Sequence, residues 1–202
     1  YSLMAANAGL SVPDVFLLSE NSKSISYFAS KRFDFDSNGN RFHLHTLAGL
    51  LNIDFRETVI DYTSLLRITD ELTRDHRQVV EAFRRMVFNY LGANLDDHSK
   101  NISFLMDKTG KWTLSPAYDI GFSSASNNLH AMGINGKRQN ATIDDFEKIA
   151  SDFDISEWRK IVSTISDSLL EWPIYAEKHL IPQKLSKAIF ERIREACNRV
   201  NK

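Results

Sequence analysis

Apolar residues recur every three or four positions along most of the chain, which is the spacing that places side chains on one face of an α-helix. This pattern predicts helices over 1–8, 44–51, 62–73, 77–91, 143–151, 156–170, 172–179 and 184–200. Gly9 suits the end of the first helix, because glycine readily adopts the left-handed conformation found there. The chain is therefore predicted to be mainly helical.

Short apolar and aromatic runs bounded by turn residues predict two small β elements. The runs are 15–18, 25–33, 102–106 and 112–114. Turn-forming residues at 19–22 separate the first two runs, which favours an antiparallel pair. Residues 107–111 separate the last two, and Gly110 fits a hairpin position with positive φ. The expected fold class is α+β, mainly α, with a β pair near the start and a β-hairpin near the middle.

Composition narrows the class of protein. The 202 residues are 43% hydrophobic and 25% charged, which suits one globular domain with a substantial core. The formal net charge of -1 gives no global basic field for nucleic acid or an anionic membrane. The single cysteine, Cys197, cannot form an internal disulfide, and no apolar run approaches the roughly 20 residues of a membrane span. We expect a cytoplasmic protein without a membrane partner.

The densest polar cluster, Asn-Leu-Asp-Asp-His-Ser-Lys-Asn at 94–101, lies between an apolar helix and an apolar strand. Phosphoryl transfer would explain it, since a carboxylate must orient the attacking hydroxyl and oxygen ligands must hold Mg²⁺. Asp96 and Asn101 have the five-residue spacing of the base and a metal-binding Asn in kinase catalytic loops. Asp119 follows the predicted hairpin, where kinases place a second metal-binding Asp. Spacing alone is weak evidence, because either Asp96 or Asp97 could simply cap a turn.

Two segments together resemble the signature of HipA-like kinases. They are Phe-Asn-Tyr-Leu-Gly-Ala-Asn-Leu-Asp-Asp-His-Ser-Lys-Asn-Ile-Ser-Phe at 88–104 and Leu-Ser-Pro-Ala-Tyr-Asp-Ile at 114–120. Weaker resemblance extends over 9–13, the hinge-like 31–34 and 130–138, so it covers nearly the whole chain. It implies a protein-kinase-like C-lobe, with 1–34 as the end of the N-lobe and the hinge, and 35–202 as the helical C-lobe.

The resemblance also implies roles for residues of the polar cluster. Asp96 is then the catalytic base, and Asn101 and Asp119 bind Mg²⁺, Asn101 as part of the ATP site. His98 and Lys100 support the catalytic loop or the phosphates of ATP. The Ser- and Asn-rich run at 123–128 follows, where kinases place an activation segment.

The hinge and the N-lobe depart from the family pattern. By resemblance, Lys31 and Phe33 contact adenine, although Lys31 stands where the family usually has Glu. The family's phosphate-covering loop and nucleotide-binding Lys have no counterpart before the hinge-like segment. The chain also opens on Tyr1 in a helix-like pattern, as though cut from a longer protein. We therefore expect an upstream segment or a separate HipS-like small subunit to complete the ATP site.

The function implied by the resemblance is that of a toxin in a toxin–antitoxin pair. Such a kinase transfers the γ-phosphate of ATP to a protein Ser or Thr, with an aminoacyl-tRNA synthetase as the expected target and growth arrest as the result. A HipB-like antitoxin would restrain it, and DNA would be contacted only indirectly, through the antitoxin. Two alternatives stay open at this point, a small-molecule or lipid kinase and a non-catalytic docking fragment.

Overall fold

The computed structural model describes residues 1–19, 26–56, 59–124 and 127–200. Its helices are α1 Ser2–Asn7, α2 Leu47–Leu50, α3 Tyr62–Thr73, α4 His76–Leu91, α5 Ile143–Asp152, α6 Trp158–Leu170, α7 Trp172–Lys178 and α8 Gln183–Val200, with a 3₁₀ turn at Ser99–Asn101. Its strands are β1 Val15–Ser19, β2 Ser26–Ser30, β3 His43–Thr46, β4 Ser103–Met106 and β5 Trp112–Leu114. The predicted mainly helical α+β class is confirmed. Most of the predicted turn at 19–22, the first residue of the predicted 25–33 strand, and parts of the 123–128 run and the C-terminus lie outside the described residues.

Helix α4 is the centre of the helical body and packs against α3, α6 and α8. The Asp75 side chain begins it by accepting a hydrogen bond from the Arg77 backbone N–H. Most of its apolar side chains are almost completely buried: Val79, Ala82, Phe83, Met86, Val87, Phe88, Tyr90 and Leu91. Burial of a large apolar side chain contributes roughly 1.5–3 kcal/mol, so packing holds this helix in place more than helix propensity does.

A three-stranded antiparallel sheet in the order β3-β4-β5 lies beside this body. The hairpin of β4 and β5 was predicted, and Gly110 has the expected positive φ of 82°. The helix predicted over 44–51 was wrong in its first half, because 43–46 pair with β4 as β3, and Thr46 caps the short α2. Periodicity cannot separate strand from helix in so short an apolar run, and the hydrogen-bonding edge of β4 decides the outcome.

Strands β1 and β2 form a separate antiparallel ribbon, with Val15 paired to Ser30. This confirms the predicted β pair. The ribbon leaves large apolar side chains in solvent, with Phe16, Leu17 and Phe28 each more than half exposed. A cleft of about 500 Å³ lies between the ribbon and α7, and Trp172 is part of its lining. Within the described ranges, no helix combines the length and the apolar character needed to cross a membrane.

Candidate active site

The polar cluster at 94–101 begins just after α4 ends. Gly92 follows the helix, and a Cβ at this position would lie 2.7 Å from the Phe88 carbonyl oxygen, so only glycine fits. Ala93 then adopts a left-handed conformation with φ 52°, and the Asn94 N–H donates to the Asn89 carbonyl at 2.9 Å. The polar loop is therefore anchored at its first residue to the last turns of the buried helix α4.

Asp96 presents an exposed carboxylate on a fixed backbone. Its side chain is 65% exposed. Its backbone N–H donates to Ser123 Oγ at 2.7 Å, and its carbonyl oxygen accepts from Asn101 Nδ2 at 3.1 Å. His98 Nε2 lies 3.6 Å from Asp96 Oδ1, beyond hydrogen-bond distance. The carboxylate is thus available to an incoming hydroxyl group, while hydrogen bonds fix both the N–H and the carbonyl group of the Asp96 backbone.

Asn101 and Asp119 lie at the same end of the β4–β5 hairpin. Tyr118, which precedes Asp119, donates from its hydroxyl to the Lys100 carbonyl at 2.8 Å, and its oxygen lies 2.6 Å from Ser103 Oγ. The segment before Tyr118 is also fixed, because the Ala117 N–H donates to the Ser11 carbonyl at 2.7 Å. Asp119 is exposed and left-handed, with φ 54°, a conformation that Asp tolerates better than most residues.

These two residues fit a magnesium site in their chemistry. Asn101 commits its amide nitrogen to Asp96, so its Oδ1 is the atom available to a cation. Asp119 adds carboxylate oxygens, and hard oxygen donors are what Mg²⁺ prefers. The part of the chain that the structure describes has no group of three or more His, Cys, Asp or Glu side chains that could enclose a metal. A site with one carboxylate suits Mg²⁺, which takes its other ligands from phosphates and water.

Asp97 is the anchor of the loop, a role that sequence reasoning missed. Its side chain is completely buried and accepts hydrogen bonds from the Tyr62 hydroxyl at 2.8 Å and from the backbone N–H groups of Ala131 at 2.8 Å and Met132 at 3.2 Å. His130 Nδ1 lies 3.2 Å from the same carboxylate. Burial, and then the Asp97 charge, raise the pKa of Tyr62 well above its ordinary value, so the phenol keeps its proton and donates.

A chain of side-chain hydrogen bonds joins this anchor to Asp96. Asn89 Nδ2 donates to the Tyr62 hydroxyl at 3.0 Å, Asn94 Nδ2 donates to Asn89 Oδ1 at 3.1 Å, and the Ser123 hydroxyl donates to Asn94 Oδ1 at 3.3 Å. Ser123 in turn accepts from the Asp96 backbone. We call this set the loop network: Tyr62, Asn89, Asn94, Asp97, Ser123 and His130. Its bonds connect α3, α4 and the segments after Asp119 with the candidate catalytic loop.

The side chains of His98 and Lys100 lie against Phe55, which the sequence did not single out. The His98 ring centroid is 4.8 Å from that of Phe55, and Lys100 Nζ is 4.7 Å from the same centroid. Arg56 lies over the ring too, at 4.9 Å. Such cation–π contacts keep a cation near the protein surface without neutralising it. Lys100 also lines a cleft of about 530 Å³ next to the loop, together with Gly49 and residues 52–56.

The two hinge residues of the sequence analysis lie in different surroundings. The Phe33 ring centroid is 5.5 Å from that of Tyr118, which places Phe33 beside the Asp119 segment. The Lys31 ammonium group is exposed and lies 3.4 Å from an Asp14 carboxylate oxygen. The structure therefore brings Phe33 next to the candidate site but pairs the Lys31 side chain with Asp14 rather than with the loop.

Comparison with known proteins identifies the family. The family described as HipA-like C-terminal domain matches residues 1–196. The chain belongs to this family. It is also 32% identical over 125 residues to a Haemophilus influenzae protein named "Putative kinase". The aligned region covers 55% of this chain and 36% of that protein. The resemblance drawn from the sequence is thus confirmed, as is membership of a kinase-like family.

Two solved structures share the fold. HipA of Shewanella oneidensis MR-1, solved in a toxin–antitoxin complex with HipB and operator DNA, matches with a TM-score of 0.78 at 15% identity, over 99% of this chain and 54% of that chain. The Helicobacter pylori proinflammatory kinase CtkA matches with a TM-score of 0.61 at 15% identity, over 98% of this chain and 81% of that chain. The chain therefore spans about half of HipA and less of the Haemophilus relative.

The anchoring role of Asp97 can be tested against its exposed neighbour. We expect Asp97→Asn to lower the free energy of unfolding by about 2–3 kcal/mol, because an amide group cannot accept all the bonds that the buried carboxylate accepts. Asp96→Asn is the matched control, and its exposed side chain should change the stability by less than about 0.5 kcal/mol. Urea unfolding of both variants measures the difference. Equal stability of the two variants would show that Asp97 does not anchor the loop.

Proposed function

We propose that this chain is the catalytic C-lobe of a HipA-like kinase that transfers the γ-phosphate of ATP to a Ser or Thr hydroxyl of a protein. The observation that carries the proposal is the exposed Asp96 carboxylate on a hydrogen-bonded backbone, next to Asn101 and the segment that ends in Asp119. In this proposal Asp96 orients the attacking hydroxyl and accepts its proton. Asn101 and Asp119 would hold Mg²⁺, which neutralises phosphate charge when bound.

The residues around the loop take supporting roles in this proposal. Lys100 carries a positive charge at the edge of the cleft and interacts with the phosphates of ATP. His98 packs on Phe55 and positions the loop. Phe33, in contact with Tyr118, lies beside the adenine. The Lys31 N–H donates to the Asp14 carbonyl at 2.8 Å, so the backbone carbonyl of Lys31 is the hinge group that accepts a hydrogen bond from adenine, whatever the side chain.

The domain arrangement is part of the same proposal. Residues 1–34 form the end of the N-lobe and the hinge, and 35–202 form the C-lobe. A preceding segment or a HipS-like small subunit supplies the rest of the ATP site. Two observations support this: HipA of Shewanella is nearly twice as long as the region it shares with this chain, and Phe16, Leu17 and Phe28 of the ribbon are more than half exposed.

The substrate and partners follow from the family resemblance. We propose that the kinase phosphorylates an aminoacyl-tRNA synthetase in the cytoplasm and thereby arrests growth. A HipB-like antitoxin restrains it, as the complex of Shewanella HipA with HipB and operator DNA suggests. The net charge of -1 supports DNA contact through the antitoxin rather than directly.

Transfer of labelled γ-phosphate from ATP to a panel of aminoacyl-tRNA synthetases tests this function. Three samples are compared: this chain, the chain with its native upstream sequence, and that longer protein with Asp96→Asn. Labelling by the longer protein that disappears in the variant supports a synthetase-directed kinase. Label on a lipid or small molecule instead would favour the first alternative, and no label anywhere would favour a docking fragment.

The hydroxyl of Ser123 gives a second test of the catalytic loop. We expect Ser123→Ala to lower kcat about tenfold or more, because the Asp96 backbone loses its hydrogen-bond acceptor, while the Kd for ATP stays the same. Ser123→Thr keeps the hydroxyl and should retain most of the rate. Ser124→Ala is the control, since that residue is exposed. A Ser123→Ala enzyme with wild-type kcat would contradict this role.

A further inference from the structure

A small polar pocket lies on the side of the catalytic loop that faces α8. It has a volume of about 200 Å³ and opens between α8, the end of α4 and the segment 128–140. Arg192 and Arg199 line it from α8, and Gln139 and Asn140 line it from the opposite side. This volume is below the roughly 300–1,000 Å³ typical of drug-sized ligand pockets. The pocket therefore suits a small group with several polar atoms.

The two arginines form no ion pair with a carboxylate group among the described residues. Arg192 Nη2 donates to Asn128 Oδ1 at 2.9 Å, and Arg199 Nη1 lies 3.4 Å from the Tyr90 hydroxyl oxygen. Both partners are neutral, and the ion pairs among the described residues involve other cations. Each guanidinium group has five N–H donors, so most of them remain available. Seven residues apart on α8, the two arginines face the same side of the helix.

We infer that this pocket binds a phosphate-type anion, as a phosphate monoester or as inorganic phosphate. Guanidinium groups match the geometry of phosphate oxygens and bind them with charge-assisted hydrogen bonds. Glu195 also lines the pocket, and its carboxylate opposes an anion in the same space. Glu195 therefore provides a test of the sign of the ligand's charge. Replacing its carboxylate by a neutral group should strengthen the binding of an anion and weaken the binding of a cation.

The wall of the pocket is shared with the loop network. Tyr90 stacks on the ring of His130, with centroids 4.9 Å apart and an interplanar angle of 21°, and His130 contacts Asp97. Leu95, whose carbonyl accepts from the Ala131 N–H, lines the pocket as well. An anion bound here contacts the residues that hold the catalytic loop, although the binding itself does not depend on the proposed kinase activity.

Calorimetric titration of the protein with inorganic phosphate, at constant ionic strength, tests the site. We expect Arg192→Gln and Arg199→Gln each to weaken binding about tenfold or more, and Glu195→Gln to tighten it several-fold. Arg194→Gln is the matched control, because Arg194 is an exposed arginine of α8 that does not line the pocket, and its affinity should equal that of the wild type. The tighter binding of Glu195→Gln cannot arise from a misfolded variant.

Some outcomes would overturn the site. The proposed phosphate site would be wrong if the wild type did not bind phosphate or if the three arginine variants lost affinity equally. It would also be wrong if Glu195→Gln bound phosphate more weakly than the wild type. The source of the phosphate group is a separate measurement, made by titrating glycerol phosphate beside inorganic phosphate. Tighter binding of the ester identifies a phosphate monoester as the ligand, and tighter binding of inorganic phosphate identifies the free anion.

Discussion

Replacing Asp96 by asparagine is expected to lower the rate of phosphoryl transfer by about 10²–10⁴-fold while leaving ATP affinity unchanged. An amide of the same size cannot accept the proton of the attacking hydroxyl, and positioned general bases contribute rate factors of about this size. The fold should survive, because the hydrogen bonds that Asp96 makes to Ser123 and Asn101 use its backbone N–H and carbonyl groups. Single-turnover transfer by the protein with its upstream sequence measures the rate, and equilibrium titration measures the ATP affinity.

Asp70→Asn is a suitable control for this experiment, since Asp70 is an exposed aspartate on α3. It should transfer phosphate at the wild-type rate. If Asp96→Asn also retained that rate, Asp96 would not be the base, and the proposed mechanism would have to be abandoned. A fall in ATP affinity equal to the fall in rate would instead assign Asp96 to nucleotide binding.

Replacing Asp119 by asparagine is expected to abolish the binding of Mg²⁺-ATP, with the affinity falling about a hundredfold or more. Loss of a residue that only supports a metal ligand already costs about 10–100-fold in metal affinity, so loss of the only proposed carboxylate ligand costs at least as much. Asparagine is a well-matched substitution because it also tolerates the left-handed backbone at this position, where φ is 54°. ATP titration with and without Mg²⁺ measures the effect.

The titration without Mg²⁺ is the internal control, and there the wild type and Asp119→Asn should bind ATP with the same weak affinity. Equal affinity in the presence of Mg²⁺ would exclude Asp119 as a metal ligand. A loss of the same size with and without the metal would mean that the substitution disturbs the nucleotide pocket itself.

Long periodic helices could be predicted from the sequence because their apolar faces are dictated by the core. Helix α3 was predicted with the bounds that it has, and α4 was predicted one residue short, at 77 rather than at His76. The motif likewise gave the five-residue spacing of Asp96 and Asn101, and in the structure Asn101 donates to the Asp96 carbonyl. In these cases the information is local, within one or two helical turns or one loop.

Features that depend on distant contacts were not predictable in this way. Strand β3 exists because β4, about 60 residues further along the chain, offers a free edge to 43–46. Asp97 was considered only as a turn cap, yet its partners Tyr62 and His130 are 35 and 33 residues away. Nothing in the spacing of a polar run indicates which of its members points inward, because that depends on segments that pack against it later.

The loop network has a consequence for how this protein can change in evolution. Each side chain in it forms a hydrogen bond with the next. The stability change caused by a second substitution therefore depends on which donors and acceptors the first substitution has left unpaired. Tyr62→Phe alone removes the donor to Asp97 and leaves the Asn89 amide N–H without an acceptor. The same change made after Asn89→Leu lowers the free energy of unfolding by less, because that donor is already absent. Such sites are epistatic, and variants of this loop that survive selection should differ at several of these positions together rather than at one.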